Sequence, residues 1–372
     1  MKIIDLFAGC GGLSLGFIQA GFSIEKAVEY DPVIANTYQQ NHPGVDVIVD
    51  DIKNIDTSDM FASMAADVII GGPPCQGFSM AGARIRQGFI DDPRNYLFKH
   101  YFNVVKAVRP KVFVMENVKG IATMQGGKIF DEIKRIFQDA DALNGKPYRI
   151  YHRVINAAEF GVPQRRERMI IIGTLVDGVD IDALWEKTII DLKKEYPTYF
   201  DEVTVKDAIG NLTMTSEDGV IDNPAPETEY ERYLFSDTRT ITNHTKSRHS
   251  KVAIERMQQI KSGENYTVLN EQIKSVHSGS YGRLCWEEQA STITTRFDTP
   301  AGGRFIHPVE DRTLTPREAA RIQSFPDSYV FYGDKRSISR QIGNAVPPKV
   351  SYFLARLVEN LLLTENVKNT GE

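Results

Sequence analysis

The chain has 372 residues, 41% of them hydrophobic and 25% charged, with a formal net charge of −5. That composition belongs to a globular chain with a sizeable core and excludes a largely disordered one; at roughly 150 residues per domain the length suggests two or three domains. No apolar run reaches the ~18 residues of a spanning helix, Asp5 interrupts the N-terminal apolar stretch before a signal sequence develops, and the three cysteines, without a Cys-x-x-Cys pair, suit neither a disulfide framework nor a structural zinc site, so no membrane partner and a cytosolic compartment are expected.

Ile3 to Phe7 reads as a short apolar strand that stops at a glycine-rich turn, and Leu13 to Ala20 as the helix behind it. Ile24 to Val28 is a second strand, closing on Glu29; Pro32 then opens a helix, at a position where its missing N–H costs nothing. Val45 to Val49 is a third strand ending at Asp50-Asp51, and Val68 to Ile70 a fourth that runs into Gly71-Gly72-Pro73-Pro74. Leu97, Phe98, Tyr101, Val104, Val105 and Val108 repeat at helical spacing until Pro110. Val112 to Met115 is a fifth strand closing on Glu116, Ile129 to Phe137 a further helix, and Tyr148 to Val154 and Met169 to Ile172 further strands. This alternation predicts an α/β fold with a doubly wound, mostly parallel sheet of Rossmann-like type. Ligands of such sheets bind at the carboxyl ends of the strands, where the glycine turn, Glu29, Asp51, Pro74-Cys75 and Glu116 all fall.

Beyond about Val176 the texture changes. Residues 177–230 are acidic, polar and weakly periodic; residues 231–304 are rich in Ser, Thr, Gly and Arg, with 11 basic against 8 acidic side chains in an otherwise acidic chain. Two units are expected, one made of residues 1–180 and 338–372 and a smaller mixed one over 181–337. Thr315 to Gln323, with Pro316 at its start, and Val350 to Leu362 read as helices, and 365–372 as a frayed tail.

Four segments carry chemistry. In Asp5 to Ser14 (DLFAGCGGLS), a strand, a glycine turn and a helix N-terminus form a nucleotide-binding unit, because glycines let the backbone approach a ligand. Ser14 replaces the third glycine of the dinucleotide fingerprint and the P-loop lysine is missing. With Glu29 placed to meet ribose hydroxyls, the pattern suits a nucleoside cofactor without a pyrophosphate, or else a merely tight structural turn. In Gly71 to Ser79 (GGPPCQGFS), Cys75 follows two prolines at a strand end. Free cysteines are mostly buried small hydrophobes, which suits Cys10 and Cys285. Cys75 is instead a candidate nucleophile, given a helix N-terminus or a cation to lower a thiol pKa of ~8.5. Glu116, in Met115 to Val118 (MENV), ends a buried strand, where desolvation favours the protonated, hydrogen-bond-donating carboxyl; pairing with an arginine for structure is the alternative. In Gln164 to Arg168 (QRRER), Arg166 and Arg168 alternate along a strand and so share one face. They could grip a carboxylate, a phosphate or a base carbonyl, or form an edge-strand charge cluster.

In this order and spacing the four segments resemble the cytosine-5 DNA methyltransferase family, in its bacterial, restriction-modification-like form. Arg312 to Tyr329 (RTLTPREAARIQSFPDSY) and Arg340 to Pro348 (RQIGNAVPP) resemble it too, so that matching motifs run from residue 5 to residue 348 and only about 181–304 is unmatched, the region that varies within the family. A related tRNA cytosine methyltransferase branch shares the motif set, but the substantial 181–304 region and the lack of a Cys-Phe-Thr element favour DNA.

The resemblance implies a catalytic, S-adenosylmethionine-binding domain over 1–180 and 338–372, a target-recognition domain over 181–337, no metal, and double-stranded DNA as partner. It implies Cys75 as the nucleophile at cytosine carbon 6, Glu116 on ring nitrogen 3 and the exocyclic amine, and Arg168, with Arg166, on the base carbonyl. Phe7 would face the adenine. Gly9, Gly11, Gly12 and Leu13 would line the methionine moiety, Glu29 would take the ribose, Tyr30 would flank the ring, and Asp51 with Ile52 would meet the adenine edge. Pro74, Leu97, Asn344 and Val346 would complete the pocket, which requires the C-terminal segment to return to the glycine turn. The target atom lies inside a duplex, so the base must be flipped out at a cost of roughly a few kcal/mol. Gln76, Ser79, Arg84, Arg86 and Arg94, in a loop slightly long around Ala83 to Gln87, are the expected DNA contacts, and the net-positive second unit reads as one wall of a DNA cleft whose affinity falls with salt. Family habit adds a cognate restriction endonuclease without direct contact, and a cytoplasmic, nucleoid-associated monomer.

Overall fold

The computed structural model describes residues 1–74, 96–212, 215–271, 273 and 278–369, the last five as backbone only. Its central sheet has seven strands: β1 (Lys2–Leu6), β2 (Ser23–Glu29), β3 (Asp46–Val49), β4 (Val68–Gly71), β5 (Val112–Val118), β6 (Arg149–Asn156) and β7 (Glu167–Thr174), in the spatial order 3-2-1-4-5-7-6. Strands β1 to β5 are parallel, and β7 lies antiparallel between β5 and β6. The principal helices are α1 (Gly12–Gln19), α2 (Pro32–Asn41), α3 (Leu97–Val108), α4 (Lys128–Phe137), α5 (Ile181–Glu195), α6 (Val205–Ile209), α7 (Pro316–Ile322), α8 (Lys335–Asn344) and α9 (Pro348–Asn369).

A parallel sheet covered on both faces needs strands that are apolar at nearly every position. Ile3, Val68, Ile70, Val112, Val114, Ile170 and Ile172 pack on one face against Leu13 and Phe17 of α1 and against α9. The intervening residues Ile4, Leu6, Ile69, Phe113, Met115 and Ile171 pack on the other, against α3 and α4. Each such side chain withdrawn from water contributes roughly 1.5–3 kcal/mol. Every strand and helix expected in the first half is present. Strand β5 runs further than expected, so that Glu116 and Asn117 lie within the ladder, opposite Ile170 and Met169, and not beyond it.

The sequence places residues 181–200 in the second unit; the structure packs them with the sheet. Trp185, Leu192 and Tyr199 share the core of Ile3 and Phe353. Helix α9 likewise continues to Asn369, through part of the expected tail. A second core joins Val205, Ile209, Ile293, Phe297, Leu314, Ile322, Phe325 and Phe331 to Cys10 and Ile34, seating the second unit directly on the glycine turn. Buried arginines brace it: Arg312 forks onto Glu318 and Arg321 onto Asp327, each with two bonds of 2.8 Å, the pairing that buried charges require. Among the described residues no helix is long and apolar enough to cross a membrane.

Candidate active site

The turn between β1 and α1 takes positive φ at Phe7 (59°), Gly9 (58°) and Gly11 (93°). At Gly11 only glycine fits, because a Cβ would lie 2.3 Å from His42 Nε2 and 2.9 Å from the Tyr329 hydroxyl. At Gly12 a Cβ would lie 2.5 Å from the Val346 carbonyl oxygen, so the C-terminal segment does return to this turn. Gly9 differs: among the described residues nothing stands within 4 Å of where its Cβ would be, and that side of its backbone faces open space.

Ser14, in place of a third glycine, has a structural task. Its hydroxyl donates to Asp5 Oδ2 at 2.6 Å and lies 2.7 Å from the Tyr38 hydroxyl, tying β1, α1 and α2 together. Asp5 is fully buried, its Oδ1 has no partner among the described residues, and burial pushes its carboxyl up to about 7. Beneath Gly11, His42 Nε2 lies 3.0 Å from the Tyr329 hydroxyl, which itself donates to the Cys10 carbonyl. Burial pushes His42 down to about 4, so the ring is neutral at pH 7. The Cys10 thiol is buried and pushed up to about 12, an inert packing group. Cys285, expected to be buried as well, is half-buried with Ser262 Oγ at 3.1 Å from its sulfur.

Glu29 closes the turn from the end of β2. It is 5% exposed; Oε2 accepts from Gly9 N–H at 3.0 Å and Oε1 from Asp31 N–H at 2.9 Å. Burial raises the affinity of this carboxyl for a proton, while its two backbone donors and the charge of Arg340 act against that. Next to it the Tyr30 ring is 60% exposed. Phe7, Ile52 and Leu97 meet in one apolar cluster. Asp51 is half-exposed and held by Lys53, through its N–H at 3.1 Å and its ammonium at 3.0 Å. Leu13 and Val346 share the opposite core, Pro74 is half-buried, and Asn344 is exposed at the end of α8.

At the end of β5, Glu116 Oε1 lies 2.8 Å from Arg168 Nε of β7, with both side chains mostly buried. Its other oxygen faces Gly72, where a Cβ would lie only 3.1 Å away. The neighbouring Asn117 donates to the Pro73 carbonyl at 2.8 Å and thereby fixes the exit of β4 beside Glu116. The sequence expects Arg166 to share a face with Arg168; the structure keeps its charge close enough to feel both Arg168 and Glu116 and also gives its guanidinium backbone acceptors. The strand breaks at residue 166, and the Arg166 guanidinium, 1% exposed, donates to the carbonyls of Ile293 (3.1 Å), Gly343 (3.0 Å) and Ala345 (3.0 Å). Arg166 therefore bolts β7 to the second unit and to the C-terminal segment, because a buried guanidinium must find acceptors and these carbonyls supply them.

Cys75, Gln76, Ser79, Arg84, Arg86 and Arg94 lie outside the described residues. Among the rest, sequence reasoning missed the buried Asp5–Ser14–Tyr38 chain, His42 under Gly11, Asn117, and Arg340, whose Nη2 lies 2.5 Å from Asp31 Oδ2. A charged residue inside the apolar run of β1 was the available signal for Asp5; no motif marks His42.

A family model for C-5 cytosine-specific DNA methylases matches residues 1–360. The chain is 35% identical to the type II methyltransferase M.DdeI of Desulfomicrobium norvegicum, over 99% of this chain and 92% of that protein. It is 35% identical to the type II methyltransferase M1.HphI of Haemophilus parahaemolyticus, over 96% and 86%. An E. coli prophage protein assigned as a DNA modification methyltransferase superposes with a TM-score of 0.75 at 29% identity, over 98% of this chain and 99% of that one. The Dnmt2 methyltransferase of S. pombe shares the fold, with a TM-score of 0.60 at 16% identity, over 98% and 99%. A match that runs through both units, and not through the sheet alone, exceeds shared architecture: the chain belongs to the C-5 cytosine-specific DNA methylase family and is a cytosine-5 DNA methyltransferase.

Proposed function

We propose that this methyltransferase carries a methyl group from S-adenosylmethionine to carbon 5 of a cytosine flipped out of double-stranded DNA, through a covalent bond between Cys75 and carbon 6. The observation that carries the reading is the Glu116–Arg168 pair, 2.8 Å apart at a strand end that Asn117 ties to Pro73, two residues before Cys75. Carbon 5 of cytosine is a poor nucleophile. Addition of the Cys75 thiolate at carbon 6 breaks the aromaticity and shifts a ring electron pair towards carbon 5, replacing one hard step with two easier ones. Once carbon 5 has accepted the methyl group, loss of its proton to a base, for which water serves, restores the double bond as the sulfur leaves. Glu116 holds ring nitrogen 3 and the exocyclic amine, and Arg168 orients the base through its carbonyl. Groups fixed before the reaction stabilise charge in the adduct without reorganisation.

S-adenosylmethionine supplies an electrophilic methyl group. The residues fit such a ligand: the Gly9 backbone faces open space, and the exposed Tyr30 stands next to the buried Glu29. In this reading Gly9, Gly11, Gly12 and Leu13 line the methionine, Glu29 takes the ribose, and Phe7, Tyr30, Asp51 and Ile52 surround the adenine. Pro74, Leu97, Asn344 and Val346 close the pocket. Residues Gln76 to Arg94 grip the DNA, the unit over 181–337 reads its sequence, and the enzyme works as a monomer in the cytoplasm, on the nucleoid, as the modification partner of a restriction endonuclease. Labelled methyl transfer to DNA and to tRNA, together with adduct trapping on 5-fluorocytosine DNA, tests the reading. DNA labelling and a trapped adduct are expected; labelling of tRNA alone, or no adduct, overturns it. Bisulfite sequencing of DNA from cells making the protein identifies the recognised site.

A further inference from the structure

We propose that the Arg340–Asp31 ion pair is a clasp that sets the width of the nucleoside pocket, which makes Arg340 a positioning residue for the methyl donor; this rests on the S-adenosylmethionine reading above. The two charged atoms lie 2.5 Å apart across 309 residues of sequence. Asp31 follows Glu29 and Tyr30 directly, and its N–H is held by Glu29 Oε1 at 2.9 Å. Arg340 stands on α8, four residues before Asn344. The clasp therefore joins the two segments that would face one ligand from opposite sides, Glu29-Tyr30 and Asn344 to Val346.

The other end of this segment is held by Arg166, through the carbonyls of Gly343 and Ala345 at 3.0 Å each. Two arginines from distant parts of the chain thus suspend residues 340–345 and leave Asn344 exposed between the gripped carbonyls. They differ in what depends on them. Arg166 is buried and its bonds belong to the core. The Arg340 side chain is 39% exposed and that of Asp31 20%, and a pair this open contributes little to global stability. Its effect is local: it fixes where α8 stands relative to the end of β2.

Asp31 allows a clean test because its two oxygens are divided between two tasks. Oδ1 caps α2, accepting from the N–H groups of Val33 (3.0 Å) and Ile34 (3.4 Å), while Oδ2 meets Arg340. Asparagine caps a helix about as well as aspartate, so D31N removes the charge and keeps the cap. Binding of S-adenosylhomocysteine is measured by calorimetry for the wild type, R340Q, R340K, D31N and R340Q/D31N, with melting temperature and methylation kinetics for each. R340Q and D31N are each expected to raise Kd about five- to twentyfold, the double variant to be no worse than the worse single one because both remove the same interaction, and R340K to recover part of the loss. The loss appears in KM for the cofactor more than in kcat, with melting temperatures nearly unchanged. Single variants within about twofold of wild type, additive losses, or losses that merely follow melting temperature overturn the clasp while leaving the cofactor reading intact. A wild type that binds no S-adenosylhomocysteine overturns the cofactor reading and the clasp with it.

Discussion

Glu116 and Arg168 are diagonal neighbours across the β5–β7 ladder. Arg168 stands opposite Val118, and Glu116 is two residues from Val118 on the same face, so a long side chain spans to it at 2.8 Å. The ladder register therefore fixes both groups before any substrate arrives. E116Q keeps the size of the side chain and removes the charge that Arg168 balances. We expect it to lower the single-turnover methylation rate by ~10²–10³, the loss typical of one preorganised electrostatic group, and to leave cofactor affinity intact. An unchanged rate in a rapid-quench assay removes Glu116 from the chemistry.

C75A separates the nucleophile from the rest. Turnover is expected to vanish while S-adenosylmethionine binding, measured by calorimetry, stays close to wild type. Retained methylation contradicts a covalent route.

Arg166 is expected to behave as a structural residue although it stands within the same short motif as Arg168. Replacing it with Met leaves the carbonyls of Ile293, Gly343 and Ala345 without their donor. A buried acceptor left without its donor costs on the order of 1–3 kcal/mol. Urea denaturation of R166M should show a much lower midpoint than that of R168M, whose side chain pairs with Glu116 at the strand end. A normal midpoint with a selective fall in kcat restores the catalytic assignment.

How much of this was legible in the sequence depends on how far each contact reaches along the chain. The strands were readable because parallel strands buried on both faces are continuously apolar, and Glu29 and Glu116 stood out as carboxylates at the ends of such runs. Helix α5 was not, because Trp185, Thr188 and Leu192 are its buried residues while Ile190, also apolar, faces outward and blurs the stripe. The backbone acceptors of Arg166 were not legible either, because alternation along a strand assumes that the strand is unbroken. The segment Gln164–Arg165 pairs instead with Ala290–Ser291, a partner no local pattern reveals. His42 meets Tyr329 across 287 residues, and nothing near either residue announces the contact.

The two glycines with positive φ in the turn should respond differently to alanine. At Gly9 (φ 58°) no atom of the described residues lies within 4 Å of the new methyl group, so G9A carries only the left-handed strain of roughly 1–2 kcal/mol and places a methyl group in the proposed ligand space. At Gly11 (φ 93°) the methyl group would meet His42 Nε2 at 2.3 Å, and the His42–Tyr329 pair must move. G11A should therefore lower the melting temperature markedly, whereas G9A should chiefly weaken S-adenosylhomocysteine binding. Equal melting temperatures for the two variants count against the packing beneath the turn.

Asp5 and His42 pull the pH dependence of stability in opposite directions. Burial pushes Asp5 up to about 7 from 3.8, so between pH 4 and 7 the folded state binds more protons there than the unfolded chain, and this contribution to stability falls as pH rises through that window. Burial pushes His42 down to about 4 from 6.5, so there the folded state binds fewer protons, and this contribution falls as pH drops from 6.5 towards 4. D5N keeps an acceptor for Ser14 and removes only the first of these titrations. Its unpaired amide, at the site of the partnerless Oδ1, adds a cost that does not vary with pH. The stability difference between D5N and wild type should therefore grow in favour of D5N from pH 4 to pH 7 and then level off. Three pH units set its span at up to about 4 kcal/mol. Urea midpoints at four pH values measure it, and a difference that stays flat across this range shows that Asp5 does not titrate as its burial requires.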